Sequence, residues 1–224
     1  MMQRKLLFHT WYYTTEKSLD NPTSFGVKNA VNMRVGGLGT WHVSHQAKGI
    51  SKSPFSEITV VYCHGSSGTR GNDYRVNLVN HLYSLGCAVY IFDYRGYGDS
   101  LGEPSEEHCV QDALKVVAEA RREYPNDRIV LFGHSMGTGV ACQTAYMLKK
   151  EGCEVDGTIL EAPFLSIPDS ILDSPVVRFL NKLPLYCGFV WRIQDPFLSR
   201  NVIGELKAVL ILFAENDEVG HSIY

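Results

Sequence analysis

At 224 residues, 45% of them hydrophobic, the chain has the material for one domain with a sizeable core. Its formal charge of −3 comes from nearly balanced acids and bases, scattered rather than striped, which removes any electrostatic basis for nucleic-acid binding. No apolar run reaches the roughly 18 residues of a membrane span and the N-terminus has no apolar signal core, so the expected location is cytoplasmic or membrane-peripheral.

In chain order, residues 33–35 and 40–44 flank Gly36-Gly37-Leu38-Gly39 and predict an N-terminal hairpin. Ile58–Cys63 is a β-branched run ending at His64-Gly65. Asp73–Leu85 follows, with Val76, Leu78, Val79, Leu82 and Leu85 at helical period. A strand is predicted over 87–92, closing on Asp93-Tyr94-Arg95-Gly96-Tyr97-Gly98. Pro104-Ser105-Glu106-Glu107 opens a helix that carries Val110, Leu114, Val117 and Ala118 on one face and stops near Tyr124-Pro125. Ile129-Val130-Leu131-Phe132 is the next strand, 138–149 the next helix, and 157–160 and 208–213 are the last two strands. Strands apolar on both faces and joined by helices predict an α/β fold: a mostly parallel twisted sheet with helices on each side. Such a sheet binds ligands beyond the C-terminal ends of its strands. The six cysteines (Cys63, Cys87, Cys109, Cys142, Cys153, Cys187) show no C-x-x-C and no zinc spacing, the pattern of small buried thiols kept reduced. Asn21 precedes a proline, which disables the one possible glycosylation sequon.

Gly133-His134-Ser135-Met136-Gly137 lies between a predicted strand and a predicted helix, the context in which G-x-S-x-G marks a nucleophile elbow. A serine hydroxyl attacks only when a sharp turn lifts it clear of the sheet, and the flanking glycines let that turn form and let the helix pass close to its neighbours. The N–H of Met136 then points out of a helix N-terminus, where developing negative charge is stabilised. The loop His64-Gly65-Ser66-Ser67-Gly68 supplies the other half, so the N–H groups of Ser66 and Met136 are the candidate oxyanion donors. His64 and His134 are expected to hold these turns through ring hydrogen bonds, and Asp93, Arg95 and Asp99 to brace the loop after their strand.

Several longer motifs resemble one branch of the α/β-hydrolases, the lysophosphatidylserine lipases that also cleave monoacylglycerols. They are His64-Gly65-x-x-Gly68-Thr69-Arg70-Gly71, Phe92-Asp93-Tyr94-Arg95-Gly96-x-Gly98-Asp99-Ser100, Pro104-Ser105-Glu106, Gly133-His134-Ser135-x-Gly137-Thr138-Gly139-Val140-Ala141 and Glu161-x-Pro163-Phe164. The likeness runs roughly over 38–219. It departs at Ser66, where the family has Asn, and at Ala162, where it has Ser. The resemblance implies an α/β-hydrolase fold and a carboxylic ester hydrolase acting on lysophospholipids and monoacylglycerols, with Ser135 as nucleophile. It implies no metal or organic cofactor. It also implies a protein of the endoplasmic-reticulum membrane, although the N-terminal anchor of such relatives is not in this sequence. The family motif places the catalytic acid at Asp217, after strand 208–213, with Glu161 as the alternative at the end of an adjacent strand.

The whole chain, 1–224, reads as one hydrolase domain with an insert over 164–206 that breaks the strand–helix rhythm. Its prolines and apolar patches fit either a small buried satellite cluster or a lid of short helices that meets an acyl chain or touches a membrane peripherally. In this fold the triad order is serine, acid, histidine. His221 is the only histidine after Asp217 and stands too close behind it, so the triad histidine, final strand and final helix are expected to be missing. Three explanations stand: a shortened product of a working lipase, a histidine supplied by a partner, or a non-catalytic protein that binds lipid or a partner.

Overall fold

The computed structural model describes residues 8, 10, 17–45, 53–163 and 202–213. Among these, seven strands form one sheet: β1 (Ala30–Val35), β2 (Leu38–Val43), β3 (Ile58–Cys63), β4 (Ala88–Phe92), β5 (Arg128–His134), β6 (Gly157–Glu161) and β7 (Val209–Leu212). They lie in the order β1-β2-β4-β3-β5-β6-β7. β2 is antiparallel to β1 and to β4, and every later pairing is parallel. The crossovers are α1 (Asp73–Leu85), α2 (Glu106–Glu123) and α3 (Met136–Lys150). The α/β class and the mixed sheet are as predicted.

Side-chain alternation along the strands sorts the core into two layers. Val60, Tyr62, Val89, Ile91 and Phe132 face α1, where Val76, Val79 and Leu82 cover them. Val61, Cys63, Tyr90, Phe92, Leu131 and Leu160 face the other way, against Val116 and Val117 of α2 and Val140, Ala141 and Leu148 of α3. Each fully buried aliphatic side chain of this kind contributes about 1.5–3 kcal/mol of transfer free energy. Local signals set the helix ends. The Ser105 side chain caps α2 by accepting from the His108 N–H at 3.1 Å, with Glu106 and Glu107 in the first turn and Arg121 and Arg122 in the last. Gly86, at φ 102°, ends α1, where its N–H donates to Tyr83 O and the next N–H to Leu82 O.

Some boundaries differ from the sequence reading. Leu38 and Gly39 are strand residues, so the β1–β2 turn is Gly36-Gly37 alone. Gly39 lacks a side chain for a packing reason: a Cβ there would collide with Asp99 Oδ1. A short 3₁₀ turn, Pro22–Phe25, was not foreseen.

The topology positions the site. The chain leaves β3 for its neighbour β4 on one side, then returns to place β5 on the other side of β3. The loops after β3 and β5 therefore part toward opposite faces, α1 on one and α3 on the other, at the C-terminal strand ends, where sheets of this kind bind ligands.

Candidate active site

Ser135 follows β5 at that end of the sheet. It is half-buried and occupies φ 51°, ψ −122°, directly before α3. A side chain in that region costs of order 1–3 kcal/mol and persists where its surroundings over-determine it. The surroundings are visible. The Ser135 N–H donates to Glu161 O at 2.9 Å, and the Ser135 carbonyl accepts from the Thr138 N–H at 2.8 Å and the Thr138 hydroxyl at 2.7 Å. Both motif glycines are required by close approach. A Cβ on Gly133 would meet Gly137 O and lie 2.6 Å from Thr138 Cα, and one on Gly137 would run into Cys63 O. Gly137→Ala is expected to destabilise the fold by about 3 kcal/mol, as overpacking against backbone does; a urea midpoint within error of wild type would contradict this.

The two candidate oxyanion amides are aimed by the carbonyls of their own peptide units. No described peptide is cis, so each N–H points opposite to its C=O. The Gly65 carbonyl accepts from His64 Nδ1 at 2.7 Å, which directs the Ser66 N–H away from the buried ring. The Ser135 carbonyl is held inside the first turn of α3, which directs the Met136 N–H out of the helix N-terminus. Among the described residues neither N–H has an acceptor. The two loops touch here, since a Cβ on Gly65 would lie 3.4 Å from the Ser135 Cβ. Tyr97 donates to Ser66 O at 2.8 Å and Tyr94 to His64 O at 3.1 Å, while the Arg75 guanidinium donates to Ser67 O at 2.5 Å and Thr69 O at 2.6 Å.

His64 is fully buried beneath this loop, its ring 4.3 Å from that of Tyr94 and 5.0 Å from that of Tyr97. Donation from Nδ1 to Gly65 O fixes the neutral tautomer that carries its proton there. Burial, and then the positive charge of Arg75, hold the imidazole well below the ordinary histidine range; His134 and Arg70 act in the same direction and the Gly65 carbonyl opposes them. His64 therefore stays neutral when folded but titrates near 6.5 when unfolded. Between those values the unfolded state binds the extra proton, so stability falls as pH drops below about 6.5, by up to 1.4 kcal/mol per pH unit for one site. Urea midpoints from pH 8 to pH 5 should show this fall, and His64→Gln should flatten it.

Beneath the same loop runs a buried ionic network. Arg70, fully buried, donates to Asp93 Oδ2 at 2.5 Å and Asp99 Oδ1 at 2.6 Å, and its backbone N–H donates to Asp93 Oδ1 at 2.6 Å. Its guanidinium also lies 5.2 Å from the Trp41 ring, and Arg34 completes Asp99 from outside at 2.7 Å. For Asp99 burial works against the charge, but Arg70 and then Arg34 outweigh it and hold the carboxyl below its usual range. Arg95 binds Asp112 of α2 at 2.5 Å. The predicted bracing by Asp93, Arg95 and Asp99 is thus present, and it reaches beyond their own loop to the one after β3. Cys63 is fully buried in the core, and burial pushes its thiol up to about 12.

Tyr74, in the first turn of α1, was missed by the sequence reading. Its hydroxyl donates to Glu161 Oε1 and its ring centroid is 5.3 Å from that of His134. His134 is packed against the loop over 64–68, its Nδ1 3.2 Å from where a Gly65 Cβ would stand. Asp217, His221 and Cys187 lie outside the described residues, as does the insert up to residue 201. A shallow groove between the β1–β2 turn and α2, lined by Leu38, Arg95, Leu101, His108 and Lys115, shares no residue with the elbow or the 64–68 loop.

With this geometry in place, the model of the family described as serine aminopeptidase, S33 (Hydrolase_4) matches residues 56–221. The chain is 39% identical over 172 residues to the lysophosphatidylserine lipase ABHD12 of Bos taurus, and 36% identical over 201 residues to that of Danio rerio. These alignments cover 73% and 81% of this chain but 42% and 52% of the relatives, so the chain spans about half their length. An alpha-beta hydrolase from Vibrio vulnificus superposes with a TM-score of 0.73 at 22% identity, over 95% of this chain and 73% of that one, which shows the α/β-hydrolase fold. No helix among the described residues is long and apolar enough to cross a membrane.

Proposed function

Because the chain belongs to the serine aminopeptidase S33 family of α/β-hydrolases, we propose that it forms the catalytic framework of a serine hydrolase that cleaves the acyl ester of lysophospholipids, lysophosphatidylserine in particular, and of monoacylglycerols. The observation that carries this reading is Ser135 in a strained turn at a helix N-terminus, close to two backbone amides, those of Ser66 and Met136, that have no acceptor among the described residues. The choice of lipid ester over peptide or thioester rests on the likeness to the lysophosphatidylserine lipases.

The chemistry is two-step acyl transfer. The Ser135 oxygen attacks the ester carbonyl carbon while its proton passes to a triad histidine oriented by the Asp217 carboxylate, a role for which His221 stands too close behind that acid. Negative charge gathers on the former carbonyl oxygen, and the Ser66 and Met136 N–H groups receive it, each such donor supplying about 2.7–4 kcal/mol in the transition state. The glycerol oxygen leaves with the imidazolium proton. Water then repeats the sequence on the acyl-serine and frees the fatty acid. Neither step draws on a metal or an organic cofactor. We propose that the insert before Val202, which lies outside the described residues, meets the acyl chain and the membrane surface as a lid, whereas Val202, Ile203 and Leu206 at its end pack on the core.

A fluorophosphonate probe tests this directly. Covalent mass should appear on the peptide that contains Ser135 and vanish in Ser135→Ala. Labelling elsewhere, or none together with retained lysophospholipid binding, would favour a lipid-binding protein without turnover.

A further inference from the structure

Three contacts meet at the end of β6. The backbone carbonyl of Glu161 accepts the Ser135 N–H at 2.9 Å, and Glu161 is the register partner of His134 in the neighbouring strand. Its carboxylate accepts the hydroxyl of Tyr74, whose ring lies over His134. Tyr74 belongs to the first turn of α1, the helix that continues from the oxyanion loop, and Arg75 beside it holds two carbonyls of that loop. The Tyr74–Glu161 hydrogen bond therefore spans β5 and joins the two halves of the proposed oxyanion hole, the Ser66 side through α1 and the Met136 side through the elbow. Burial first, and then the hydrogen bond to Glu161 and its charge, hold the Tyr74 phenol above its usual range, which keeps it a donor at any working pH. The other carboxylate oxygen, Oε2, is buried without a hydrogen-bond partner among the described residues. A buried carboxylate satisfied on one side only depends heavily on the single donor it has.

We infer that Tyr74 and Glu161 are positioning residues that fix the separation between the Ser66 and Met136 amides and hold the Ser135 turn in its strained conformation, neither touching the reacting atoms. This deepens, and rests on, the ester-hydrolase reading. Tyr74 is half exposed, so a variant without its hydroxyl should still fold, at the cost of the one hydrogen bond to the Glu161 carboxylate.

The experiment compares Tyr74→Phe, Glu161→Gln and Ser135→Ala with p-nitrophenyl butyrate as substrate. Tyr74→Phe should lower kcat about 10- to 100-fold, the loss expected from slight misplacement of reacting groups, with KM unchanged and the melting temperature lowered by only a few degrees, the cost of leaving the Glu161 carboxylate without its donor. Glu161→Gln keeps an acceptor for the Tyr74 hydroxyl and should recover to within about threefold of wild type. The inference is overturned if Tyr74→Phe retains its kcat or if the loss appears in KM. It is also overturned if Glu161→Gln falls as far as Ser135→Ala, the result for a carboxylate that works on the imidazole itself. Absence of turnover in the wild-type protein is the result expected where the triad histidine is missing, and it bears on the ester-hydrolase reading rather than on this inference. Hydrogen exchange at the Ser135 amide then decides the inference: faster exchange in Tyr74→Phe upholds it, and an unchanged rate overturns it.

Discussion

On the proposed acyl-transfer mechanism, and with the triad histidine present, Ser135→Ala is expected to lower ester turnover by about 10⁴- to 10⁶-fold while leaving the fold intact, whereas a chain that lacks that histidine has little left to lose. The residue that remains still occupies a helix N-terminus beside the proposed oxyanion amides, so a small rate above that in water should survive from the amides and from substrate binding alone. The change should appear in kcat more than in KM, because the serine oxygen meets the carbonyl carbon only on the reaction path. Thermal melts of the two proteins should superpose within a few degrees, since the alanine retains the backbone bonds from Glu161 and Thr138 that define the turn. An alanine variant with a tenth of wild-type turnover would remove Ser135 from the mechanism.

Arg70→Met is expected to cost about 3–5 kcal/mol, the range for breaking a buried ion pair from one side. The carboxylate of Asp93 would be left fully buried, with the Arg70 backbone N–H and no cation against it. Asp99 would keep Arg34 but lose two hydrogen bonds, and the Trp41 ring would lose the guanidinium that covers it. The damage falls on the loops after β3 and β4 together, so the oxyanion loop should loosen before the sheet does. A second change, Asp93→Leu, removes the orphaned charge, and the double variant should regain most of the loss. Equilibrium urea unfolding of the four proteins in the cycle measures this. A single variant within 1 kcal/mol of wild type would mean that the network contributes little.

How much of this was legible in the sequence depended on distance along the chain. Periodicity and β-branched runs located the three crossover helices and the parallel strands, because each signal is complete within about a dozen residues. The elbow was legible for the same reason, with strand, turn and helix in one stretch. Its helix begins at Met136 rather than at the predicted Thr138, since Ser135 itself takes the capping position. Gly39 misled the turn assignment because its cause lies 60 residues away at Asp99. The Arg70–Asp99 and Tyr74–Glu161 bonds span 29 and 87 residues, and nothing near Tyr74 distinguishes it from an ordinary polar helix start. Interactions that fold topology creates cannot be read before the topology is known.

The last described strand has a practical consequence. β7 is the outer strand of the described sheet, and residues 210–213 show between 39 and 53% of their surface, although all four are Leu, Ile or Phe. Such a rim invites other chains to add alongside it. Yield and shelf life in the test tube will be governed there: concentrated samples should coalesce through that border first, and mild detergent or a charged residue at its centre should keep them dispersed.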